Sequence, residues 1–137
     1  NIHHDKEKSV KVIAGKFEST EGFFEQHNVE PIYFDINLNK NKKFNFNLPS
    51  THNSFVYLIE GEIIIGNKSH EKIKDSTLIL LTKGEELKVE AITKSKFLFV
   101  SGKPIEEQIA RGGPFVMNTK AEILEAINDY QRGTFVK

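Results

Sequence analysis

Apolar and polar residues alternate along most of the first hundred positions, and the period changes only near the end of the chain. Phe44, Phe46 and Leu48 alternate with Asn45 and Asn47, and Leu87, Val89 and Ala91 alternate with Lys88 and Glu90. A period of two sends every second side chain to one face of an extended segment, so both read as half-buried β-strands. Short runs rich in β-branched and aromatic residues add further strands over 10–14, 31–38, 54–59, 62–65, 77–81 and 96–100. Turn formers bound them: Gly15, the Asn-Lys-Asn-Lys-Lys stretch from Asn39, Glu60-Gly61, Gly66-Asn67, Lys83-Gly84 and Ser101-Gly102. Strands recurring at intervals of roughly 8–12 residues predict an all-β sandwich or barrel.

From Thr119 the period lengthens. Thr119-Lys120-Ala121-Glu122 is a capping box, in which Thr119 accepts from the backbone of Glu122 and the Glu122 side chain reaches back. Ile123, Leu124, Ile127 and Tyr130 then recur at helical spacing, and Gly133 is a stop signal, so a helix is predicted over 119–131. Residues 103–118 have weak periodicity around Gly112-Gly113-Pro114 and read as an extended connection lying on a surface. The chain therefore divides into an N-terminal segment or linker over 1–8, a β-domain over 9–104 and a C-terminal tail over 105–137. No internal repeat or low-complexity stretch interrupts it.

Composition narrows the function classes. A chain of 137 residues is one domain long and buries enough surface to fold without a staple. Nineteen basic residues balance nineteen acidic ones, which argues against nucleic-acid capture through many phosphate contacts. The local cluster Lys40, Lys42 and Lys43 reads as a solvated hairpin turn. With no cysteine there is no disulfide, thiolate nucleophile or zinc knuckle, a usage that fits a reducing cytoplasm. No apolar run reaches the length of a membrane helix and no signal peptide is visible. The chain opens on Asn1 and not Met, which points to a fragment or processed product of a longer polypeptide.

Common catalytic patterns are weak. Ser54, Ser76, Ser95 and Ser101 lack the context of a nucleophile elbow. Gly112-Gly113-Pro114 lacks the length and the Lys-Ser/Thr of a phosphate loop. Glu60 and Glu62 share one strand face but read as a turn rim.

Several stretches resemble the C-terminal cupin domain of the pirin family. Leu48-Pro49-Ser50-Thr51-His52-Asn53-Ser54-Phe55-Val56-Tyr57-Leu58-Ile59-Glu60-Gly61-Glu62 resembles its first β-hairpin, and Val10-Lys11-Val12-Ile13-Ala14-Gly15 its opening strand. Ser101-Gly102-Lys103-Pro104-Ile105 is similar to its last barrel strand and exit. Gly113-Pro114-Phe115-Val116-Met117-Asn118-Thr119, the following helix and Gly133-Thr134-Phe135 resemble its tail. The resemblance covers about residues 9 to 135 and implies a cupin (jelly-roll) β-sandwich with a C-terminal helix. It also implies a two-cupin protein with iron in the N-terminal cupin. Some members of the family act as quercetin 2,3-dioxygenases, and one is a nuclear co-regulator of transcription. This chain then corresponds to the second cupin, either as the C-terminal half of a longer protein or as a stand-alone version.

A cupin metal site takes two histidines two residues apart, a carboxylate four residues on and a third histidine from a later strand, a donor set suited to Fe(II) or Mn(II). Aligned on the Glu60-Gly61 turn, the first three slots fall on Asn47, Pro49 and Asn53, and the later one on Leu87. None is a strong ligand, so no metal is expected in this chain. His52, the rival candidate, is one residue out of register, so the pleat turns it away and it reads as a surface or loop-end residue. His3-His4-Asp5 reads as a mobile terminal tract. His27 and His70, beside Glu25 and Glu71, read as solvent-facing.

Two expectations complete the reading. Phe34, Phe44, Phe46, Phe55, Tyr57, Phe97 and Phe99 either fill the barrel or line a pocket for a flat aromatic ligand, and filling is favoured. The tail offers Phe115, Met117, Ile123, Ile127 and Tyr130 as an interface, because an apolar helix stripe must be covered. The partner is an N-terminal pirin cupin or a second copy of the chain, with no nucleic acid and no membrane. The leading function is thus structural support of an iron-binding cupin. The alternatives are dioxygenase activity in the full-length protein, or a stand-alone dimer that binds a small aromatic ligand or a protein.

Overall fold

The computed structural model describes residues 1–24, 28–66 and 71–136. His27 and His70, with Glu25 and Asn67, lie outside the described residues. The chain falls into two compact units, Asn1–Pro104 and Ile105–Lys137.

In the first unit the strands are β1 (Ile2–His4), β2 (Lys8–Ala14), β3 (Lys16–Phe17), β4 (Thr20–Glu21), β5 (Ile32–Leu38), β6 (Lys43–Asn47), β7 (Asn53–Glu60), β8 (Glu62–Ile65), β9 (Ile73–Lys74), β10 (Thr77–Leu80), β11 (Glu86–Ala91) and β12 (Ser95–Gly102). A six-stranded antiparallel sheet has the order β1-β2-β5-β12-β7-β10, and a four-stranded one the order β6-β11-β8-β9. Each sheet buries one face, as the alternation dictates. In-register rows of the large sheet place Val56, Phe99, Phe34 and Val12 side by side, and Leu58, Phe97, Ile36 and Val10 in the next row, all within 1% of complete burial. The small sheet answers with Phe44 opposite Val89 and Phe46 opposite Leu87. The predicted sandwich is the observed one.

Gly61 closes the β7–β8 hairpin at φ +99°, and a side chain there would run into the Lys94 carbonyl, 2.6 Å away, and Ser95. Only glycine fits both the conformation and the space.

The sequence reading left Ile2–His4 in a segment or linker. It is instead β1, paired in register with β2. Asp5 turns the chain between them: its Oδ1 accepts from the backbone of Glu7 at 2.6 Å and of Lys8 at 2.8 Å. These bonds, with the Lys8 ammonium, hold the Asp5 carboxyl well below the usual carboxylate range.

The second unit holds β13 (Ala110–Gly112), β14 (Phe115–Met117) and α1 (Lys120–Arg132). The stretch read as an extended connection is in fact a hairpin, turning at Gly113 with φ +56°. Weak periodicity hid it, because three-residue strands are too short to show a repeat. The helix has the predicted box, with Thr119 accepting from Glu122 and the Glu122 carboxylate accepting from Thr119. Gly133 ends it in the left-handed conformation.

Candidate functional site

The interior of the first unit is filled with rings. Phe34, Phe44, Phe97 and Phe99 are fully buried, and Phe46 packs half-buried against them. Phe17, on β3, stacks on Phe44 with centroids 5.5 Å apart and meets Phe34 edge-on at 5.8 Å. Edge-to-face and offset contacts at these distances are the favourable ones for aromatic rings. Phe17 was not among the candidate core residues; the two-residue strand that carries it gave no periodic signal.

Phe55 and Tyr57, counted with the interior rings in the sequence reading, lie elsewhere. The buried row of β7 is Val56 and Leu58, so the odd positions project from the opposite face, where Tyr57 is 37% exposed. The pleat assigns faces whatever the chemistry of the side chain.

Above the apolar rows, one end of the barrel closes with a polar layer. The even row of β7 continues through Ser54 to His52, and Ser101 continues the buried row of β12. His52 is therefore not turned outward. It is 4% exposed, held by the turn in which its N–H donates to the Pro49 carbonyl at 3.1 Å. The register argument failed because it counted from Asn53, an exposed position, while the interior row is the even one. Lys83 fastens the turn from above, donating to the carbonyls of Thr51 at 2.7 Å and His52 at 3.2 Å.

His52 Nδ1 lies 3.2 Å from the Ser101 hydroxyl, which lies 2.8 Å from that of Ser54. The other ring nitrogen, Nε2, is buried without a hydrogen-bond partner among the described residues. Among the described residues the nearest anion is Glu30, whose Oε2 is 3.8 Å away and whose Oε1 is 4.0 Å from Lys103. Glu30 has a left-handed backbone, φ +44°, an uncommon conformation for a non-glycine residue. Electrostatics orients the chain: with Ser54 donating to Ser101 and Ser101 donating to Nδ1, an N–H on Nε2 faces the carboxylate. The reverse order would set a lone pair against it.

Glu30, His52 and Ser101 thus form a line of carboxylate, imidazole and hydroxyl that no sequence pattern signalled. Its geometry does not suit acyl transfer. Ser101 is 3% exposed, and its hydroxyl is shared between two neighbours inside the barrel end.

The aligned metal slots do not converge. Asn47, Pro49 and Asn53 are all exposed, and Leu87 is a core residue at 2% exposure. Asn47 and Pro49 border an open depression of about 610 Å³ with Glu85 and Glu86. Among the described residues no group of three or more metal-ligating side chains is close enough to hold an ion. His3 is packed: its ring meets Phe17 edge-on at 5.2 Å, with Glu18 at 3.5 Å and Asp5 at 3.6 Å. The Lys42 and Lys43 ammoniums pair with Glu7 at 2.7 Å and Glu90 at 3.3 Å. No helix among the described residues is long and apolar enough to cross a membrane.

In the second unit the expected interface residues are partly used at home. Ile123 is buried over Gly112 of the hairpin, Met117 and Ile127 are half-buried, and Phe115 meets Tyr130 at 6.0 Å and Phe135 at 5.2 Å. Tyr130 remains 68% exposed.

Comparison with known proteins gives a consistent picture. Residues 33–136 match the family described as the Pirin C-terminal cupin domain. A pirin-like protein of Caulobacter vibrioides is 32% identical over 128 residues, covering 93% of this chain and 45% of its own length. Human pirin is 34% identical over 103 residues, covering 73% and 36%. The crystal structure of a quercetin 2,3-dioxygenase from Acinetobacter baumannii matches 96% of this chain and 45% of its own with a TM-score of 0.81 and 34% identity. The chain spans about half the length of the relatives it matches.

Proposed function

The chain belongs to the Pirin C-terminal cupin domain family, and from that premise we propose that it is the metal-free, structural half of a two-cupin protein, packed against an N-terminal cupin that holds iron. The observation that carries this reading is the filled interior. Phe34, Phe44, Phe97 and Phe99 fill the barrel interior, and the slots for ligands hold Asn47, Pro49, Asn53 and Leu87. Amides, a proline ring and an isobutyl group are no donor set for Fe(II), so iron does not fit this barrel. A packed barrel remains useful as a rigid body that holds its neighbour in place. Dioxygenase chemistry of the kind named for the Acinetobacter protein then belongs to the half that this chain does not span.

The test is metal content. The purified chain is offered Fe(II), Mn(II), Ni(II) and Zn(II), desalted and assayed by elemental analysis. Substoichiometric metal and no turnover of quercetin by the chain alone are expected. One tightly held ion per chain overturns the proposal and makes His52 the first residue to replace.

A further inference from the structure

β1 is an edge strand of the large sheet, three residues long. Ile2 is 62% exposed and His4 is exposed too, so His3 is the one inward side chain of the strand. Its ring lies against Phe17, and Phe17 in turn stacks on Phe44 in the core.

An anion faces each nitrogen of that ring. Nδ1 is 3.5 Å from Glu18 Oε2, and Nε2 is 3.6 Å from Asp5 Oδ2. A neutral imidazole has one N–H, so it serves one carboxylate and turns a lone pair on the other; an imidazolium donates to both. Glu18 makes this contact from a left-handed backbone, φ +51°, which is uncommon for a residue with a side chain. The neighbouring elements add few other charges. Lys8 on β2 reaches the same Asp5 Oδ2 at 3.0 Å, and Lys16 and Glu21 of the β3–β4 hairpin pair with each other at 3.0 Å. Val10, opposite His3 on β2, is apolar. Asp5 and Glu18 set against Lys8 thus leave an excess negative charge, which a proton on His3 neutralises. The Asp5 carboxyl, held well below its usual range by the Glu7 N–H and by Lys8, keeps its charge in any mildly acidic buffer.

We propose that β1 is a proton-dependent strap, fastened at both ring nitrogens when His3 is protonated and loosened when His3 is neutral. Histidine changes charge between about pH 5 and 8, so the strap tightens in mild acid and slackens above neutrality. The sign follows from linkage: the docked form favours the bound proton, and its advantage is lost as the pH rises and the proton leaves. What opens is chemically definite. The Val12 N–H donates to the Asn1 carbonyl at 2.9 Å and the Asp5 N–H to the Lys8 carbonyl at 3.0 Å. By the alternation of an antiparallel ladder, His3 and Val10 between them exchange both of their bonds. Lifting β1 therefore uncovers the Val10 and Val12 donors and leaves β2 as an open edge, able to pair with another strand. It also bares the part of Phe17 that His3 covers.

Amide exchange with solvent, followed by NMR and divided by the intrinsic rate at each pH, tests this. The amides of His3, Val10 and Val12 should be roughly threefold or more better protected at about pH 5.5 than at about pH 8, as two partly exposed ion pairs allow. Amides in the middle of β12 should show no matching change. His3→Phe keeps a ring against Phe17 but cannot titrate, and in it the difference should vanish. Glu18→Gln, at an exposed position, should shrink it. Equal protection of the wild-type strand at the two pH values overturns the proposal. So does a pH dependence that persists in His3→Phe, which would assign it to another group. Should His3→Phe fail to fold, an undiminished dependence in Glu18→Gln overturns the two-ended fastening on its own.

Discussion

Replacing His52 with leucine should stabilise the protein, although the residue is buried and hydrogen-bonded. The balance follows from its two nitrogens. Nδ1 makes one bond, to Ser101 at 3.2 Å, and a single neutral bond of this kind contributes about 0.5–1.5 kcal/mol net. Nε2 is buried and has no hydrogen-bond partner among the described residues, which costs about 1–3 kcal/mol. Leucine removes both terms and adds apolar volume above the phenylalanine rows, while Ser101 keeps its bond to Ser54 at 2.8 Å. The net expectation is a gain of about 1 kcal/mol, or roughly 3 °C in melting temperature. Ser101→Ala is the counterpart. It removes the partner of both Nδ1 and Ser54 and should cost about 1–3 kcal/mol. Urea unfolding followed by far-UV circular dichroism measures both. A loss of more than about 1 kcal/mol in the leucine variant would refute the reasoning. It would mean that the Glu30 carboxylate closes the 3.8 Å gap and pairs with Nε2 in solution, and Glu30→Gln should then show a matching loss.

Other expectations are simpler. Gly61→Ala should cost about 2 kcal/mol or more, measured in the same assay, because the new methyl meets a backbone carbonyl at a positive φ. Phe97→Ala should cost about 3–5 kcal/mol and open a dry cavity among rings, detectable as stabilisation by added benzene; no such response is expected of the wild type. The Glu122 carboxyl is held below its usual range by the Thr119 hydroxyl and backbone N–H. A depressed value means that its contribution is present above the unfolded pKa and is lost as pH falls through the folded one. Helical signal should therefore decline below about pH 4 in the wild type, and that decline should be weaker in Glu122→Gln.

Most of the sandwich was legible in the sequence because its long strands repeat with period two over five or more residues. Phe44, Phe46 and Leu48 mark the core face of β6 simply by alternating with Asn45 and Asn47. The short strands were not legible, since β3, β4, β13 and β14 hold two or three residues each and show no period. Phe17 was missed for that reason. His52, Phe55 and Tyr57 were misplaced for another: alternation fixes which residues share a face, but not which face is inside. That depends on the neighbouring strand, here on Phe97 and Phe99 of β12 lying beside Leu58 and Val56. Glu30 had no local signal, because it faces His52 only after twenty-two residues of chain have returned to the same barrel end.

The strand order β1-β2-β5-β12-β7-β10 sets a timetable for synthesis. The strand at the heart of the large sheet, β12, is the last of its unit to leave the ribosome. Until Gly102 has emerged, β5 and β7 are two unsatisfied edges with no ribbon between them, Phe34 and Ile36 of the one and Val56 and Leu58 of the other still lacking Phe97 and Phe99 beside them. Neither edge can be completed early, so this unit cannot fold step by step as it is made. It must wait, collapse late and close in one event, and for that interval its nascent chain depends on chaperones more than a protein of its size with local pairings would.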